Sequence, residues 1–220
     1  MAKCVILSCP TLKKELLQCL QVSGCDYPVY FLPQRLHSSP KELHEYLQNM
    51  IDSFDNVDRI MICVSGCGGG TVGLQAISAE LVFPKTRDCL DILLSGADLQ
   101  NIVRPKNGIF LTESWMEFMK NSTLDLETQI KKQGEAAAKE FFRKVYKGFE
   151  HFYIIDTGVY DTQKVKDYIT PLVEVLHGTL TMMTGEYNVL KKMCAGQIDH
   201  DFIVVPKGAV VLPGSFPKNK

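Results

Sequence analysis

The feature that most constrains this chain is an alternation that persists along its length. Short apolar runs of strand length are each followed by a turn and then by a stretch with helical spacing. Runs at 3–8, 28–32, 59–64, 80–83, 109–112, 152–155, 178–182 and 202–205 read as strands, the most apolar of them as strands buried on both faces. Between them, Leu12, Leu16, Leu17 and Leu20 form one stripe over about 12–22, with Thr11 placed to cap it. Ser39-Pro40-Lys41-Glu42 is a capping box with proline at the first helical position, and Leu43, Leu47, Met50, Ile51 and Phe54 continue that helix. Asp88 caps a helix over 89–95, with Asp91 completing the box and Gly96 as its stop. Further helices are expected just after the glycine-rich stretch at 66–71, over about 125–147, after Asp161, and over 185–194. The segment from 206 reads as an edge hairpin before a polar end.

Strands that alternate with helices pair in parallel through right-handed crossovers. The expected fold is therefore α/β: a doubly wound, mostly parallel sheet with helices on both faces. Residues 3–65 and 151–205 share a β-α-β-α-β order. The chain is read as one α/β domain, 1–220, in which 1–100 and 101–220 are candidate pseudo-repeat lobes.

Charge narrows the function classes. Lys plus Arg number 24 and Asp plus Glu 25, a net charge of −1, which argues against a nucleic-acid or anionic-membrane surface. No apolar run reaches the roughly 18 residues that a membrane span needs. The opening run is too short for a signal-peptide core and meets Lys13, Lys14 and Glu15 at once. The expected setting is cytoplasmic, with a small molecule rather than nucleic acid or membrane as partner.

Eight cysteines are many for a chain in a reducing compartment, where disulfides are disfavoured. None stands in a CxxC pair; the closest spacing is Cys63 to Cys67. Position sorts them. Ligands of open α/β sheets bind beyond the carboxyl ends of the strands, where helix N-termini also point. Cys9 follows the first strand, Cys67 the third and Cys89 the fourth, so three turns bring a thiol to the same edge. Cys4 and Cys63 fall inside strands and Cys19 and Cys194 inside helices, where a cysteine acts as a small hydrophobe. A helix N-terminus favours thiolate, and three thiolates leave an open coordination position. Cys9, Cys67 and Cys89 are therefore candidate ligands of an iron–sulfur cluster or zinc.

His37 belongs to the same edge as a candidate acid/base, and Asp88 stands beside Cys89 as a second candidate catalytic group. Arg87 is a candidate contact for an anionic ligand, and Trp115, after the strand at 109–112, a candidate cleft residue. Gly66, Gly68, Gly69, Gly70 and Thr71 form a turn whose N–H groups are candidates to hold phosphate. The stretch 68–73 satisfies G-x-G-x-x-G, yet no acidic residue ends the following strand and no G-K-[ST] is present, which disfavours a dinucleotide and excludes a P-loop.

At these residues the chain resembles the domain-of-unknown-function family 1638. The likeness runs through Cys9-Pro-Thr-Leu-Lys-Lys-Glu-Leu16, Gly24-Cys-Asp-Tyr-Pro-Val29 and Leu36-His37 with Pro40. It continues through Gly66-Cys67-Gly68, Val72-Gly73-Leu74, Leu81-Val-Phe-Pro84, Asp88-Cys89 and Leu111-Thr112 with Trp115. Later echoes are Asp156-Thr157-Gly158, Tyr160-Asp161 and Val204-Val-Pro206 with Gly208. The chain departs at Ser95-Gly96, where the family tends to Gly-Ser, and at Glu113-Ser114, where a glycine usually precedes the tryptophan. The resemblance implies a protein of anaerobes linked to corrinoid-dependent methyl transfer, and it covers Cys9, His37, Cys67 and Cys89.

The expected function is thus a metal-thiolate enzyme, iron–sulfur or zinc, acting on a small molecule in anaerobic one-carbon or corrinoid-linked methyl metabolism. Two alternatives stand beside it. One is a non-catalytic accessory that binds a corrinoid or a methyltransferase; the other is a metal-free, Rossmann-like phosphate or nucleotide binder.

Overall fold

In the computed structural model, residues 3–97, 99 and 102–217 are described. The strands are β1 (Cys4–Ser8), β2 (Val29–Phe31), β3 (Arg59–Cys63), β4 (Glu80–Pro84), β5 (Gly108–Leu111), β6 (His151–Asp156), β7 (Thr179–Thr184) and β8 (Phe202–Val205). The α-helices are α1 (Lys13–Ser23), α2 (Pro40–Asp52), α3 (Cys89–Leu93), α4 (Glu113–Lys120), α5 (Leu126–Gln133), α6 (Glu135–Val145), α7 (Thr162–Val175) and α8 (Asn188–Cys194). The fold is α/β with mostly parallel strands. Among the described residues, no helix is long and apolar enough to cross a membrane.

The chain divides into two units, Met1–Ile102 with Glu186–Lys220, and Val103–Gly185. In the first, five strands run in the order β2-β1-β3-β4-β8. Every residue of β1 is buried, as an unbroken apolar run requires of an inner strand. Alternation along the strands then serves two layers. Val5, Leu7, Ile60, Ile62, Leu81 and Phe83 share a core with Leu43, Leu47 and Ile51 of α2. The intervening positions face the other side, where the Cys63 sulfur lies 3.4 Å from that of Met193 on α8. Each fully buried aliphatic or aromatic side chain contributes roughly 1.5–3 kcal/mol.

The second unit carries a three-stranded parallel sheet, β5-β6-β7. Its own core joins Phe142 of α6, Phe152 and Ile154 of β6, and Val165 and Ile169 of α7.

Several expectations need correction. The strands form two sheets, not one, and β8 pairs antiparallel with β4, so residues 186–220 return to the first unit and do not complete a repeat. An antiparallel edge strand is a common end to an otherwise parallel sheet. No α-helix follows the glycine turn, because left-handed Gly68, Gly69 and Gly73 keep the chain turning. The expected helix over 125–147 is two helices, broken at Gly134, whose φ of 83° is left-handed. Thr112 caps an unforeseen helix, α4. Among the described residues, the tail adds a single bridge, Gln75 to Val210, and no hairpin.

Candidate functional site

The site is built from four loop segments of the first unit. Ser8 at the end of β1 pairs with Cys63 at the end of β3, which sets the loops after both strands side by side. Pro10–Leu12 forms a short 3₁₀ turn, so Leu12 stands at the start of α1 and Thr11 does not cap it. The buried Thr11 hydroxyl instead donates to the Cys9 sulfur at 3.0 Å. His37 lies in the 3₁₀ turn Gln34–Ser38 ahead of α2, on the surface. Cys89 opens α3, whose cap is Asp88, accepting from the N–H groups of Leu90 and Asp91.

Three side chains gather at Cys9: the Thr11 hydroxyl donates to its sulfur, and Cys89 and His37 lie beside it and act on its ionisation. The Cys89 contact is the largest cause holding Cys9 well below the ordinary thiol value; His37 and Thr11 add to it, and burial opposes. Cys89 is driven well above its ordinary value, first by its contact with Cys9 and then by burial. The two shifts run in opposite directions, so Cys9 is the sulfur of the pair that gives up its proton first and Cys89 the one that keeps it longer. Cys9 is 8 % exposed and Cys89 3 %. Exposed His37 marks the surface side of this cluster.

Cys67 comes close but faces elsewhere. Its thiol donates to the Val64 carbonyl, its sulfur accepts the Cys89 N–H, and burial pushes its pKa up. It sits at a φ of 29°, two residues after Ser65 at 56°, a left-handed geometry that costs non-glycine residues roughly 1–3 kcal/mol each. Neighbouring contacts hold it there. Thr71 donates its hydroxyl to the Ser65 carbonyl at 2.8 Å, and the Cys67 N–H donates to the Arg87 carbonyl at 3.2 Å. A Cβ at Gly66 would lie 2.9 Å from that same Arg87 oxygen, and one at Gly70 would lie 2.9 Å from the Pro40 carbonyl. Glycine is needed at both for close backbone approach.

The remaining expected site residues fall as follows. Arg87 is committed to Asp91 by two charge-assisted hydrogen bonds of 2.6 Å, and Asp91 also accepts the Arg87 backbone N–H. The glycine turn has most of its donors engaged: the N–H groups of Gly69, Gly70 and Val72 reach carbonyls of the turn itself, and those of Cys67 and Gly73 reach the Arg87 and Val211 carbonyls. Beside the turn lies a cleft of about 290 Å³, lined by Gly66, Gly68, Gly69 and Asp88 and by Phe216 and Pro217 of the tail. Trp115 belongs to the second unit, where it meets Phe118 edge-on at 4.9 Å.

Cys9, Cys89 and His37 thus group around one sulfur, with Cys67 close by and less buried than Cys9 or Cys89. As the side chains lie, no three His, Cys, Asp or Glu among the described residues are grouped to hold a metal ion. The Cys67 thiol would have to leave the Val64 carbonyl to join Cys9 and Cys89 as a ligand, so the three-thiolate set does not fit in this arrangement. The Thr11 contact and the tail residues of the cleft were not foreseen. Thr11 sits two residues after Cys9 in a Cys-Pro-Thr turn, a spacing that can return a hydroxyl to the preceding side chain.

Comparison with known proteins gives one family match. A family model described as "Protein of unknown function (DUF1638)" matches residues 31–194. No curated protein and no solved structure matches the chain.

Proposed function

Because the chain belongs to the DUF1638 family, whose description assigns no activity, we propose its function from the chemistry of the site: a cysteine-dependent protein that acts on a small molecule through the Cys9 thiolate. The observation that carries this reading is the convergence of the Cys89 thiol, the His37 ring and the Thr11 hydroxyl on one sulfur. A nucleophilic cysteine needs a depressed pKa and a neighbouring group that can move a proton. Cys9 has the first, and His37, in contact with its sulfur and open to the surface, supplies the second. The Cys89 thiol holds the thiolate before attack and satisfies it without a countercharge.

The metal-thiolate reading is kept as a second one for a specific reason, the approach of Cys9, Cys67 and Cys89 from three separate turns. It requires the Cys67 side chain to turn towards the other two. Iron–sulfur chemistry or zinc would then supply an open ligand position, and the link to methyl metabolism rests on the family resemblance.

One preparation separates the two. The protein is purified without oxygen, its metal content and absorption spectrum are recorded, and it is treated with limiting iodoacetamide before peptide mapping. The thiolate reading expects metal-free, colourless protein labelled first at Cys9. Stoichiometric iron or zinc that shields Cys9 until a chelator removes it would favour the metal. Metal-free protein in which Cys9 resists labelling would overturn the nucleophile. Turnover of a defined substrate, lost in Cys9→Ser, would distinguish an enzyme from a carrier.

A further inference from the structure

A second pair of cysteines meets away from Cys9. Cys19 on α1 and Cys194 on α8 are far apart in sequence, yet the packing of α1 against α8 brings them together, and each is the largest influence on the other's ionisation. Both are buried, each 4 % exposed. They differ in what lies beside them. Cys19 forms part of the wall of a groove of about 330 Å³, together with Val22, Tyr187, Lys191 and Ala195. Cys194 is not among the residues that line it. The walls are mostly apolar, and Lys191 holds its ammonium 4.5 Å from the centre of the Tyr187 ring.

Their chemistry is asymmetric in the direction that a dithiol exchange needs. The contact with Cys194 is the first cause lowering Cys19, and the charge of Lys191 adds to it against burial. Cys194 is raised, first by its contact with Cys19 and then by burial. Cys19 lines the groove and is the sulfur that an entering disulfide meets, which leaves Cys194 as the one to resolve the mixed disulfide. Cys63 is fully buried and lines no part of the groove, so it does not compete for the same entrant.

We propose that Cys19 and Cys194 are a redox-active dithiol that exchanges with low-molecular-weight disulfides entering the groove between α1 and α8. The Cys19 thiolate attacks one sulfur of the disulfide RS–SR. An S–S bond forms between Cys19 and that sulfur, the RS–SR bond breaks, and the leaving thiolate takes a proton from water as RSH. Cys194 then gives up its proton and attacks the Cys19 sulfur, which forms the Cys19–Cys194 disulfide and expels the second RS⁻ as RSH. Counting the proton that Cys19 sheds to water when it ionises, the dithiol loses two electrons and two protons, and the small disulfide gains them. The step needs neither Cys9 nor a metal, so its outcome is independent of the function proposed above.

The test uses the full chain, reduced and then exposed to bis(2-hydroxyethyl) disulfide, a small neutral probe. Remaining thiols are blocked, and peptides are mapped without reduction. The expected result is a linked peptide containing residues 19 and 194, formed equally in wild type and in Cys9→Ser. Cys194→Ala should stop at a mixed disulfide on Cys19 that persists, and Cys19→Ala should give neither product. Wild type in which the probe consumes Cys9 or other thiols while Cys19 and Cys194 both remain alkylatable would overturn the proposal. So would a mixed disulfide on Cys19 that never passes to Cys194. The wild-type map decides the question even if a variant fails to fold.

Discussion

Gly66→Ala isolates a steric demand at the edge of the site. Gly66 has ordinary right-handed backbone angles, φ −67° and ψ −37°, so alanine meets no conformational penalty there. The added Cβ meets the Arg87 carbonyl oxygen at 2.9 Å and the Phe216 Cβ at 3.3 Å. Phe216 belongs to the tail and can move, but the carbonyl is backbone and accepts the Cys67 N–H. Relief therefore requires the glycine turn to part from the segment leading into α3. Overpacking of this kind costs roughly 1–3 kcal/mol, and a lost backbone hydrogen bond about 0.5–1.5 kcal/mol more. The summed expectation is a loss of roughly 1.5–4.5 kcal/mol, read from the urea midpoint at unchanged slope. Gly69→Ala is the contrast. Its φ is +90° with open space around the Cβ, so it should cost only the roughly 1–2 kcal/mol of a left-handed alanine. A Gly66→Ala protein within about 0.5 kcal/mol of wild type would show that the carbonyl is not held where the structure has it.

Other expectations follow from the same contacts. Cys63→Ser puts a hydroxyl into a fully buried strand position beside the Met193 sulfur, and should lower stability by about 1–3 kcal/mol while Cys9 labelling stays unchanged. Arg87→Ala leaves the Asp91 carboxylate, whose side chain is 4 % exposed, without its guanidinium and should cost about 3–5 kcal/mol by chemical denaturation. Cys63 and Cys67 are held protonated by burial, so unfolding free energy should fall as pH climbs past their ordinary value near 9, where the unfolded chain ionises first. Cys9 has the opposite sign: its lowered pKa stabilises the fold above the ordinary thiol range, and that contribution disappears as pH falls through the folded value. His37→Ala removes a group that lowers the Cys9 pKa and should move the pH profile of Cys9 labelling upwards.

Local signals made most of the elements legible. Apolar runs marked the strands, and Ser39 and Asp88 cap the helices that their spacing announced. The strand-end rule selected Cys9, Cys67 and Cys89 because residues beyond neighbouring parallel strands share an edge, and register does bring Ser8 level with Cys63. What escaped depends on distant partners or on backbone geometry. Nothing in the run 202–205 says that it pairs antiparallel with β4. Glycines 68, 69 and 73 fit a helix start as easily as the successive turns that they make. Arg87 looked available for an anion, but Asp91 lies one helical turn on and holds it. The rotation of the Cys67 thiol onto the Val64 carbonyl is a side-chain choice made by a strained turn, and spacing carries no trace of it.

The most direct test of the central claim is the order in which the cysteines react. Native, reduced protein is given less than one equivalent of iodoacetamide near neutral pH, quenched, and mapped by mass spectrometry. The Cys9 thiolate, fed by Cys89, His37 and Thr11, should take most of the label, and Cys67 and Cys89 should take almost none until the protein unfolds. Label concentrated on Cys67 or Cys89 in the folded protein, with Cys9 spared, would place the charge on another sulfur and contradict the account.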